Sequence, residues 1–78
     1  MTKETKQKLR LMDLWVKLLN QKASIEQGDD RIGRRYAVAT RDDENRPTYW
    51  TDFLPINTLY EVVRALMHYK LFIEIKEA

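Results

Sequence analysis

Arg34, Arg35, Arg41 and Arg46 share one short stretch with Tyr36, Tyr49 and Trp50. Arginine neutralises phosphate and an aromatic ring stacks on a base, so this mixture is what a surface for single-stranded nucleic acid requires. Arg35, Arg41 and Trp50 are the candidate contacts. The competing reading is structural: the rings belong to the core, and the arginines run their stems along the sheet edge with their heads in water. A small chain needs its aromatics for its core. Asp42, Asp43, Glu44 and Asp52 on the same ribbon would also repel a phosphate track. The structural role is therefore the first expectation, and nucleic-acid contact the alternative.

No other constellation carries catalytic chemistry. His68 is the single histidine, and Arg64 and Glu61 lie one and two turns back on the same helical face, which reads as a solvated side rather than a general-base site. Ser24, the single serine, has no G-x-S-x-G context. Asp29-Asp30 and Asp42-Asp43-Glu44 lack the ligand spacing of a calcium loop and stand where turns use Asp. Gly28 to Gly33 has the spacing of neither a Walker loop nor a dinucleotide fingerprint. With no cysteine, thiolate metal sites and disulfides are excluded. The expectation is a protein that is not an enzyme and holds no metal or cofactor.

The elements that position these residues follow from period and punctuation. Arg34–Phe53 reads as a hairpin: two runs rich in β-branched and aromatic residues flank the polar cluster Asp42 to Pro47. A four-residue loop, Asp43–Arg46, sets Ala39 opposite Trp50 and Tyr36 opposite Phe53. Tyr36, Val38, Tyr49 and Phe53 then share the core face, with Arg35, Arg41, Trp50 and Asp52 on a mixed face. A slip of one residue would exchange one strand's faces.

Before the hairpin, a helix is expected from about Lys3 to Lys22, with Thr2 as its N-cap and Glu4 in its first turn. Ala23–Gly33 reads as a connector, with the helix extending up to Gln27 and Gly28 as its cap; Gly33 would permit an unusual backbone angle. After the hairpin, Leu54 to Asn57 forms a turn, and Thr58-Leu59-Tyr60-Glu61 matches a capping box. Leu59, Val62, Val63, Leu66 and Tyr69 form one apolar stripe. From Lys70 to Lys76, Leu71, Ile73 and Ile75 alternate with Phe72, Glu74 and Lys76. That alternation favours a third strand, while the absence of Gly or Pro at the junction leaves a continuous helix open. The order is α-β-β-α-β with a right-handed connection: one small α+β domain spanning 1–78, a hairpin plus a third strand, both helices on one sheet face.

At 78 residues the chain buries only about 60% of its unfolded surface. In the first helix, Leu9, Leu11, Met12, Leu14, Trp15, Val16, Leu18 and Leu19 cover more than half the circumference, whereas one sheet contact needs a stripe of ~100° or somewhat more. Either the helix is wedged between sheet and second helix, or the surplus, centred on Leu11, Trp15 and Leu18, meets a partner. Residues 1–22 carry six basic groups against two acidic ones and residues 42–78 four against seven, an asymmetry that can draw copies together basic end to acidic end. The expected function is a small non-catalytic protein-interaction module, homodimeric and regulatory or accessory, in the general style of small proteins of phages and mobile elements; no residue is carried over from that style. The polar N-terminus lacks a secretory layout and no run spans a bilayer, so a cytoplasmic setting is expected.

Overall fold

The computed structural model describes residues 2–28, 31 and 34–77. Asp29-Asp30 and Gly33, to which the sequence assigns turn chemistry, lie outside the described residues.

Helix α1 spans Lys3–Leu19. Thr2 caps it as expected, its Oγ1 accepting the Thr5 N–H at 3.1 Å. Asn20 ends it: its backbone is extended, and its side-chain oxygen accepts the Lys22 N–H at 2.9 Å, which turns the chain. That stop corrects the expected extension to Gln27. Ala23–Gln27 is instead strand β1, because two-residue alternation wins once the helix is closed. Ala23 and Ile25 point to the core, while Ser24 and Glu26 point outward.

Strand β2, Arg35–Arg41, is the centre of the sheet, antiparallel to β1 with Ile25 opposite Val38 and Glu26 opposite Ala37. Strands β3 (Pro47–Tyr49) and β4 (Leu54–Pro55) both pair with the other edge of β2, at its two ends. The hairpin loop is one residue shorter than the four expected: Arg41 pairs with Pro47, the Asp42 N–H donates to the Arg46 carbonyl at 3.1 Å, and only Asp43–Asn45 turn the chain. Asp42 organises it: Oδ1 accepts the Glu44 and Arg46 N–H groups, both at 2.9 Å, and Oδ2 accepts Arg46 Nε at 3.0 Å. These bonds, the Arg46 N–H foremost, hold the Asp42 carboxyl below its usual range. Asn45 adopts φ 65°, which Asn tolerates and which closes the three-residue turn. The slip exchanges the faces of the second strand. Tyr49 leaves the expected core face for the outer one, where its ring lies 5.1 Å from that of Phe53, and Trp50 turns to the helix side.

Between β3 and β4 the ladder is bridged by a side chain. The Trp50 N–H donates to the Val38 carbonyl at 2.8 Å, but the Val38 N–H donates to Thr51 Oγ1 at 3.1 Å. Val38 is buried, so its amide needs that hydroxyl. Thr51→Val keeps the shape and removes the acceptor. It should cost about 1–3 kcal/mol, the cost of an unpaired buried donor, read as a lower urea midpoint at unchanged slope.

Helix α2 runs unbroken over Ile56–Glu77, so the third strand expected at Lys70–Lys76 is helix. Nothing in the sequence stops it, and the place beside β2 is taken by β1. The helix also begins at Ile56, which puts Thr58 inside its first turn rather than at a cap. The α+β class holds, with the order α-β-β-β-β-α.

Both helices lie on one face of the sheet. Met12 and Val16 from α1, Leu59 and Val63 from α2, and Ala23, Tyr36 and Val38 from the sheet form one buried cluster. Lys8 Nζ donates to Asn57 Oδ1 at 2.9 Å and Lys70 Nζ to the Leu18 carbonyl at 2.7 Å, so the helices run in the same direction. The Lys70 ammonium thereby satisfies a free carbonyl at the negative end of α1. Residues 71–77 continue past that end.

Candidate interaction surface

Beside the C-terminal end of α1, the two helices and the sheet enclose a cleft. Val16 and Leu19 of α1, Ala23 and Val38 of the sheet, Trp50, and Leu66, Tyr69 and Ile73 of α2 line this cleft of about 540 Å³. That volume lies in the range of ligand pockets, but the polar groups that would orient a ligand are already engaged. Thr51 Oγ1 accepts from Val38 and donates to the Asp52 carbonyl at 2.9 Å. Lys70 Nζ holds the Leu18 carbonyl and pairs with Glu74 at 3.8 Å. What remains on offer is apolar contact. Trp50 stands at the mouth, 55% exposed, its Nε1–H donating to Thr40 Oγ1 at 3.2 Å.

The three partner-contact candidates of α1 divide. Leu18 is 64% exposed and Leu11 lies at the edge of exposure, whereas Trp15 packs against the core, its ring 5.5 Å from that of Tyr60 on α2. Leu14, beside them, is exposed. In α1, then, Trp15 goes to the second helix and the leucines to the surface. The larger exposed apolar area was hidden by reading Lys70–Lys76 as a strand. Tyr69, Leu71, Phe72 and Ile75 of α2 are all exposed.

The arginine–aromatic constellation is not brought together. Arg35 and Arg41 lie on the outer face of β2, and Trp50 opens on the helix side. Arg41 is also spoken for: its Nε and Nη2 hold the two Glu26 carboxylate oxygens at 2.9 and 2.6 Å, and its Nη1 the Asn45 carbonyl at 2.6 Å. The hydrogen bonds to Glu26 raise its already high pKa. A bidentate pair of this kind locks β1 to β2. Glu26 was the residue sequence reasoning missed, because its partner is fifteen positions away and no local pattern joins them. Arg46 is paired with Asp42 at 3.0 Å and Glu44 at 3.3 Å.

His68 and Ser24 show no catalytic geometry: His68 is exposed on α2, and Ser24 lies on β1 opposite Ala39. Among the described residues no group of three His, Cys, Asp or Glu is placed to hold a metal ion, and no helix is long and apolar enough to cross a membrane. No protein-family model matches the chain, and neither a curated protein nor a solved structure is significantly similar to it.

Proposed function

We propose that the protein is a small non-catalytic interaction module that associates with a second copy of itself through its helical layer, in an accessory or regulatory role. One observation carries this reading. The apolar side chains of both helices continue past the core into solvent: Leu14 and Leu18 on α1, and Leu66, Tyr69, Leu71, Phe72 and Ile75 on α2. Monomeric soluble proteins rarely leave contiguous apolar patches larger than a few hundred Å² uncovered, and larger ones mark contact sites. A cytoplasmic setting goes with it, since the chain has no cysteine to oxidise. Nucleic-acid contact, the alternative, is less well supported, with Trp50 turned away from Arg35 and Arg41.

Sedimentation equilibrium at micromolar concentration tests the reading. The expected result is a species of twice the 9.4 kDa chain mass. A clean monomer across that range would defeat it.

A further inference from the structure

On the side of α2 turned away from α1, the residues Thr58, Val62, Ala65, Tyr69, Phe72 and Lys76 recur at alternating steps of four and three. That is the 3.5-residue period of a coiled-coil seam. It differs from the stripe that α2 gives to its own core, Leu59 and Val63, and from the side that meets α1, where Asn57 and Tyr60 touch Lys8 and Trp15. Thr58, Ala65 and Lys76 are exposed, Val62 is half-buried, and Tyr69 and Phe72 are 65% and 57% exposed. A regular seam on an otherwise unpartnered helix side calls for a second helix.

The seam is complementary to itself. We propose that two copies dimerise by pairing α2 with α2 in antiparallel fashion along this seam, about a two-fold axis near Met67. This deepens the self-association reading and rests on it. In that register Tyr69 of each copy lies over Ala65 of the other, and Phe72 over Val62. The stem of Lys76 lies over Thr58. Every large side chain meets a smaller one, the alternation that knobs and holes require. The Lys76 ammonium also comes within a turn of Glu61 of the other copy, the exposed acid on the flank of the seam. A two-fold contact uses the same patch on both copies and closes at two.

The area is adequate. Covering four rings of this exposure removes on the order of 500 Å² from water. That is about half of the ~1,000 Å² a specific interface needs, and Leu66, Ile75 and the aliphatic stems of Glu61 and Lys76 supply more. Tyr69 also forms one wall of the cleft beside Trp50, so the docked helix would close the mouth of that cleft.

The test compares substitutions on the two exposed helix sides by sedimentation equilibrium, with circular dichroism to confirm folding. Phe72→Glu puts two charges into the seam, and Leu18→Glu charges the outer side of α1. The expected result is a dimeric wild type, a monomeric folded Phe72→Glu variant with at least a hundredfold weaker association, and a Leu18→Glu variant that still dimerises. A dimeric wild type that resists Phe72→Glu overturns the seam and leaves self-association standing; a monomeric wild type overturns both. Should Phe72→Glu unfold, the absence of native cysteine allows a second arm. Ala65→Cys mixed with Tyr69→Cys should oxidise to a covalent heterodimer faster than either chain alone forms a homodimer. Equal rates overturn the register and the proposal with it.

Discussion

Leu59→Ala should lower the stability of the protein by about 3 kcal/mol, within the range of roughly 2–5 kcal/mol for a buried leucine, because the site cannot collapse. Leu59 is fully buried and stands with Val63 where α2 meets Met12 and Val16 of α1 and Tyr36 and Val38 of the sheet. Both helices and the sheet contribute walls to the void, so no single element can move to fill it without leaving another contact. At roughly 0.05–0.15 kcal/mol per residue, a chain of 78 residues holds some 4–12 kcal/mol in total, so the loss is a large share. A domain this size shifts its thermal midpoint by about 4–8 °C per kcal/mol, so the expected drop exceeds about 10 °C. Leu66→Ala, on the same helix but 41% exposed at the cleft, should cost clearly less. Thermal melts of the two variants check the order. Equal losses would mean that the cleft is closed in solution and that Leu66 is core.

What the sequence revealed followed from local rules, and what it hid depended on distant partners. Thr2 and the start of α1 were legible because a cap acts within one turn. The hairpin was legible from its turn chemistry, but not its register: whether Asn45 takes a positive φ decides between four and three loop residues, and that choice exchanged the faces of Tyr49 and Trp50. The strand Ala23–Gln27 was read as connector because five residues with only Ile25 as a large apolar side chain give a weak alternation. Its pairing with β2 and the Glu26–Arg41 bond decide its state. The last turns of α2 misled in the opposite way. Leu71, Ile73 and Ile75 alternate as in a strand, yet the helix persists, since the slot beside β2 is filled and Lys70 is bonded to the end of α1. The candidate surface was half-legible. Surplus apolar character on α1 was visible in its sequence, whereas the seam of α2 appears only once 70–76 is known to be helical.

Trp15→Ala should destabilise the fold by about 2–3 kcal/mol without abolishing self-association. A large aromatic buried in a core costs about 3–5 kcal/mol on truncation to Ala, and the half-buried position of Trp15 scales that down. Part of the loss, about 0.5–1.5 kcal/mol, belongs to the ring pair with Tyr60, whose centroid lies 5.5 Å away at 40°. Lys8 Nζ sits 5.5 Å above the same Tyr60 ring, so Trp15, Tyr60 and Lys8 together fasten the N-terminal end of α2 to α1. Trp15→Phe keeps a ring in that cluster and should lose about 1 kcal/mol, since less area leaves the packed site. The distinction between a fastener and a partner anchor lies in the concentration dependence. Dimerisation stabilises the folded state by mass action, so the urea midpoint of the wild type should rise with protein concentration. If Trp15 acts within the chain, Trp15→Ala shifts the midpoint down by a similar amount at low and high concentration and leaves that rise intact. If instead the rise vanishes while the low-concentration midpoint stays at the wild-type value, Trp15 is the anchor of the interface and the exposed side of α1 is where two copies meet.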